Sequence, residues 1–272
     1  NTNGGRAGPA GVRVARLGRG GPAYCHILTK PDFHAIQQLF GFRSVTVGSW
    51  VKLDEAERAA EGVFYALMDL LHILAADHLQ YGLPSSLISL RSRLALKYGS
   101  GGQPGVAAHY EPASRTFALA KNAGPGSLAH EWFHGFDHYL ATTTYGVDST
   151  AFSSSCFYRQ QVPASSHALV DAWQHCLAMI FAAGAELVSC SLNSARQLSL
   201  NYYRRPEEMA ARAFEAFIED ADIDTSYLVT GTRQGIEAAA GVYPLGARRQ
   251  RINAAFREYF SQLSYALLRS GE

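Results

Sequence analysis

The chain of 272 residues is 47% hydrophobic and 17% charged, enough apolar side chain for a buried core and too much for a disordered protein. Its 24 Lys and Arg against 23 Asp and Glu leave a formal charge of +1, which excludes a domain built as a whole to hold a polyanion. Four cysteines in no CxxC spacing exclude a disulfide scaffold, and the longest apolar stretch, Cys176 to Val188, falls short of the roughly twenty residues of a membrane span.

Residues 1–30 form a Gly/Arg-rich extension with Arg6, Arg13, Arg16 and Arg19 and no hydrophobic signal core, so the expectation is a cytoplasmic chain or one delivered by a route without a signal peptide. From residue 31 the text becomes that of one globular domain. PDFHAIQQLFGF predicts a short helix and SVTVGSWV a strand. Asp54 to His78 carries apolar residues at helical spacing, with Asp54 as the expected cap. Gly82 and Pro84 break the chain, and Leu87 to Tyr98 is apolar without a clear period. VAAHYEPASRTFALAK predicts two strands joined at residues 111–114, one of them a sheet edge, and Ser127 a helix start running to about Ala141. Residues 142–166 are polar and turn-prone and are expected to be irregular. Helices are expected over Ala168 to Cys190, from Pro206 with acids in its first turn, and over about Arg248 to Leu268. The sum is an α+β fold, mostly helical with one small sheet, its sheet-bearing part ending near residue 141 and a helical part filling 167–268.

The chemistry lies in LAHEWFHGFDHYL. His130 and His134 stand four apart on a helix, so both imidazoles leave one face and can grip one Zn²⁺. Glu131, beside the first ligand, is placed to take a proton from a water activated by the metal. The bland alternative is a helix with two ordinary histidines. A third protein ligand is required, because catalytic zinc keeps three and leaves one position open. Asp137 and His138 lie on the same stripe, but a straight helix cannot curl ligands two turns apart around one ion. The acids of RPEEMAARAFEAF sit on a second helix, where Glu208, Arg212 and Glu215 share a face; Glu208 is the preferred third ligand, with Glu207 and Glu215 as alternatives.

EMAARAF resembles the segment that supplies the third zinc ligand in anthrax lethal factor-like metallopeptidases, whose first Glu falls on Glu208. The family's second Glu is replaced by Arg212. That resemblance also implies a Tyr that stabilises the oxyanion, for which Tyr202 and Tyr203, six and five residues before Glu208, are the candidates. The stretch from Gly41 to Phe217 resembles bacterial HExxH proteins of the CLCA_X family and domains attached to phage and plasmid polyvalent proteins. This resemblance implies a zincin-like fold, a zinc metallopeptidase acting on a protein or peptide substrate, and a home on bacterial or mobile genomes. Two other classes compete. One is a DNA-associated protease or anti-defence factor, resting on the basic N-terminal arm together with Arg248, Arg249 and Arg251. The other is a non-catalytic zinc or protein-binding module, for which Asp137 or His138 would close the site as a fourth ligand.

Overall fold

The structure, a computed structural model, describes residues 24–99, 108–120, 126–147, 150–181, 201–223 and 227–271. Four short strands, β1 (Val45–Val47), β2 (Ala95–Tyr98), β3 (Ala108–Glu111) and β4 (Thr116–Leu119), pair in the order β1-β2-β4-β3. The first three neighbours run parallel, and β3 turns back antiparallel on β4, with His109 opposite Ala118 and Tyr110 opposite Phe117. All four residues of β4 are buried, as an interior strand requires, whereas β3 alternates between buried and exposed positions and forms the edge.

Around the sheet stand α1 (Phe33–Phe40), α2 (Leu53–Leu74), α3 (Leu128–Tyr145), α4 (Ser153–Tyr158), α5 (Ala168–Phe181), α6 (Pro206–Glu219), α7 (Ile236–Ala239) and α8 (Gly246–Ser270). The fold is α+β and mostly helical, as its sequence pattern predicts. Among the described residues no helix is long and apolar enough to cross a membrane.

Several boundaries move: α2 ends at Leu74 rather than His78, and α8 starts at Gly246 rather than Arg248. Helix α2 starts at Leu53, because Glu55 reaches back to accept from the Lys52 backbone N–H at 3.2 Å, and Asp54 pairs instead with Arg58 at 3.0 Å. The stretch 142–166 is not wholly irregular: α3 continues to Tyr145, and α4 follows. The signal for α4 is not local. Asp137 of α3 accepts from the Ser154 backbone N–H at 2.8 Å and from the Ser153 hydroxyl at 2.6 Å, capping α4 from a neighbouring helix. The part of the helix expected over 182–190 lies outside the described residues.

One continuous apolar cluster runs from Tyr24 to Leu267 and joins these elements except α7, whose Ala238 packs in a smaller cluster with Tyr203, Val242 and Tyr243. The first member of the larger cluster lies within the stretch read as an extension, since the Tyr24 ring packs 6.2 Å from that of Tyr65 on α2. At its centre α3 meets α6 and α8 through aromatic rings. Phe133 stacks on Phe214 at 4.8 Å, Phe136 lies 5.2 Å from Phe260, and the Trp132 indole N–H donates to the Ile88 carbonyl at 2.9 Å. Each fully buried Phe contributes about 1.5–3 kcal/mol of apolar transfer free energy, so this contact holds α3 and α6 at a fixed separation. On the sheet side, Gly135 allows a close approach: a Cβ there would meet the Tyr110 ring at 3.3 Å.

The Phe214→Ala variant is expected to lose about 3–5 kcal/mol of stability in urea unfolding. A loss below about 1 kcal/mol would show that this ring does not join the two helices.

Candidate metal centre

His130 and His134 lie on the stripe of α3 that faces α6, both buried. Their Nε2 atoms are 3.0 Å apart. Glu208, at the first turn of α6, sends Oε2 to 3.2 Å from His130 Nε2 and Oε1 to 3.4 Å from His134 Nε2. Two imidazole nitrogens and a carboxylate thus converge from two helices, within 4.8 Å of one another, and among the described residues they are the group that does so. The donor set suits a tetrahedral ion. Ligand bonds of about 2.1 Å place tetrahedral donors about 3.4 Å apart, close to the separations of the three atoms here.

The surrounding contacts fix which nitrogen faces the centre. His130 Nδ1 donates to Glu215 Oε2 at 3.0 Å, which turns Nε2 towards His134 and Glu208 as the atom that would bind a metal on losing its proton. Glu215, an alternative ligand by sequence, is therefore a partner of the opposite imidazole nitrogen. Glu207 accepts from the Ser155 hydroxyl at 2.7 Å and stands outside the cluster. Asp137, fully buried, is taken up by the two serines of α4, and His138 by the Tyr110 hydroxyl at 2.7 Å. Neither joins the three converging groups.

Arg212, one turn past Glu208, donates from Nη1 to Glu208 Oε2 at 3.1 Å and is itself buried. Its guanidinium lies 4.4 Å from the centre of the Tyr203 ring and 5.4 Å from that of Tyr202. Burial opposes charge on His130, Glu208 and Arg212, and pairing overrides it. Burial lowers His130, but the Glu215 charge and the bonds to Glu208 and Glu215 outweigh this and raise it to about 10. Burial alone would raise Glu208, yet hydrogen bonds from His130 and His134 hold it well below the usual carboxylate range. A cation entering there would displace a proton from a set already arranged around negative charge.

The two tyrosines part company. The Tyr202 hydroxyl bonds to Glu208, and burial followed by the Glu208 charge pushes its phenol pKa well up. Tyr203 instead donates to Glu237 of α7, and burial with that contact pushes it up to about 12. Tyr243, which the sequence does not single out, also donates to Glu237, at 3.3 Å, and its phenol feels the Glu215 charge. It lies in a loop stretch with no motif or period to mark it.

Glu131, next to His130 in sequence, turns towards β3. Its Oε2 accepts from the Tyr110 backbone N–H at 2.8 Å, and its charge acts on His130. Because that N–H is used by Glu131, it points away from β4. In an antiparallel pair, alternate residues direct their backbone groups outward, so those of Ala108 and Tyr110 face away from β4, on a side of β3 where no strand pairs among the described residues.

Residues 194–267 match the family described as Large polyvalent protein-associated domain 1. The matched stretch contains Glu208, Arg212, Glu215 and Tyr202 but ends short of the histidine helix on its N-terminal side. No curated protein and no solved structure matches the chain.

Arginines proposed as a nucleic-acid surface are largely spent elsewhere. Arg248 and Arg249 are buried; Arg248 donates to the Ile180 carbonyl at 3.0 Å and Arg249 pairs with Asp220 at 2.7 Å. Arg251 is exposed, and residues 1–23 of the basic arm lie outside the described residues.

Glu215→Ala is expected to weaken zinc affinity by about 10–100-fold, since His130 loses the partner that sets its tautomer. Competition with a chromogenic chelator measures this; unchanged affinity would remove Glu215 from the support of the site.

Proposed function

We propose that the protein is a zinc metallopeptidase that hydrolyses peptide bonds of a protein substrate, with His130, His134 and Glu208 as metal ligands. The observation that carries this reading is their convergence beside Glu131, a carboxylate that the edge strand β3 holds through the Tyr110 N–H. Zinc bound there supplies a Lewis acid that polarises the scissile carbonyl and acidifies water. Three protein ligands leave a coordination position for that chemistry, and the engagement of Asp137 and His138 elsewhere supports a catalytic over a purely structural site.

The chain's own groups divide the remaining work. Glu131 accepts the proton of the attacking water and delivers it to the leaving amine. The Tyr110 N–H orients the Glu131 carboxylate in the meantime. Tyr202, a phenol protonated at neutral pH that bonds to Glu208, is the proposed hydrogen-bond donor to the developing oxyanion, released from Glu208 for that purpose. Tyr203, occupied by Glu237 and stacked on Arg212, acts by keeping that guanidinium beside Glu208. A substrate segment adds to the outward edge of β3 as a further strand, which lays its backbone alongside Glu131.

The match of residues 194–267 to a polyvalent protein-associated domain supports a setting in which this peptidase is one module of a larger polypeptide of a mobile element. The burial of Arg248 and Arg249 weighs against the reading as a DNA-associated protease.

Glu131→Gln is expected to keep its zinc and to lose about 10²–10⁴-fold in hydrolysis of a quenched-fluorescent denatured casein substrate. Undiminished hydrolysis by a zinc-loaded Glu131→Gln protein would remove Glu131 as the general base.

A further inference from the structure

Arg212 meets Glu208 at two atoms. Its Nη1 donates to Glu208 Oε2 at 3.1 Å and to the Glu208 backbone carbonyl at 3.2 Å. One nitrogen with two hydrogens thus ties the carboxylate to the turn of α6 that carries it, and turns one oxygen of the two to the guanidinium. Oε1 lies 3.4 Å from His134 Nε2, outside that clamp. Oε2 also faces His130 Nε2 at 3.2 Å, a contact that ends when this nitrogen turns to an ion.

The guanidinium is held in turn. The face of Tyr203 lies under it, with the ring centre 4.4 Å away. The Tyr203 hydroxyl donates to Glu237, which also accepts from Tyr243 at 3.3 Å. Both tyrosine side chains pack with Ala238 and Val242 in the smaller apolar cluster. Helix α7 and the residues after it therefore build a platform on which Arg212 rests, outside the set of ligands.

A carboxylate can hold an ion through one oxygen or through both. Two imidazoles and one oxygen fill three positions of a tetrahedral site and leave the fourth open, whereas a second oxygen competes for that fourth position. The outcome depends on what else the second oxygen is bonded to. A charge-assisted bond from a buried guanidinium draws electron density from Oε2 and holds it against rotation, which leaves Oε1 the better donor.

We propose that Arg212 is a positioning residue that makes Glu208 a one-oxygen ligand and so keeps a coordination position open. The proposal rests on the reading of His130, His134 and Glu208 as metal ligands. It gives the arginine a role in the coordination itself, beyond balancing the charge of Glu208.

Cobalt(II) in place of zinc tests this, because its visible absorption is stronger in a four-coordinate than in a five-coordinate site. The whole chain is titrated with cobalt as wild type and as Arg212→Met. The wild type should show the strong four-coordinate band. In Arg212→Met both oxygens of Glu208 should reach the ion, and the band should weaken by about twofold or more while cobalt binds as tightly as before or more tightly. An arginine that serves only to support the fold would act the other way: its loss would weaken cobalt binding and leave the band of the bound ion unchanged. That pattern, or an unchanged band at unchanged affinity, would overturn the clamp and leave the metal site standing. Should Arg212→Met fail to fold, Tyr203→Leu keeps the guanidinium and removes the ring beneath it. It should weaken the band by a smaller amount, and an unchanged band there would equally overturn the clamp. A wild type that binds no cobalt would remove the metal reading and the clamp with it. The expected spectra from a wild-type protein that hydrolyses no casein would uphold the clamp and remove the hydrolytic reading instead.

Discussion

The structure depends on burying a charged cluster between α3 and α6 and pairing every member of it. Two imidazoles, two carboxylates and a guanidinium lie at the contact of helices whose other faces are lined with Trp132, Phe133, Phe214 and Phe217. Such a cluster is costly in an apolar interior unless each charge meets an opposite one with good geometry. Here Glu208 meets His130, His134 and Arg212, and Glu215 meets His130. The aromatic contacts set the distance between the helices, and that distance decides whether Glu208 reaches both histidines. Stability and site geometry are thus coupled through one interface. A change that lets α6 slide would separate the ligands before it unfolded the chain.

The same coupling extends to the sheet. Gly135 follows directly on the second histidine and lets the Tyr110 ring lie against α3. Tyr110 then does two things: its backbone N–H fixes Glu131 and its hydroxyl occupies His138. The edge strand and the histidine helix are therefore locked together at one residue, which aligns the outward backbone of β3 with the carboxylate assigned to proton transfer. On the far side, Asp137 caps α4, and Phe152, just before α4, brings its ring to 5.6 Å from that of His134. Glu131 and His138 thus tie α3 to β3 through Tyr110, and Asp137 ties it to α4.

Much of the site was legible because it obeys helical spacing. His130, His134 and Glu131 follow from a four-residue repeat, and Glu208 from its place on the first turn of a helix that must face them. Glu215 shares that face, and its seven-residue offset moves it two turns along, to the other nitrogen of His130; the face was readable, the division of roles was not. Arg212 looked like a disruption where a second acid was expected, and the structure makes it the cation that balances Glu208. The strand order, the cap that Asp137 gives to α4, and the arrival of Glu237 and Tyr243 beside the arginine all depend on residues distant in sequence. No local period or motif encodes such meetings. Arg248 and Arg249 show the converse: a basic run on an amphipathic helix reads as a surface, yet their side chains turn inward to a carbonyl and to Asp220.

The account stands or falls on whether His130, His134 and Glu208 bind one metal ion together. Elemental analysis of protein purified without added zinc tests this directly, on the wild type beside His134→Ala and Glu208→Ala. One zinc per chain in the wild type, lost from both variants while their circular dichroism remains that of a folded protein, is the expected result. No metal in the wild type, or a zinc content indifferent to both substitutions, would contradict it and leave the cluster as a buried ion-pair network without a metal.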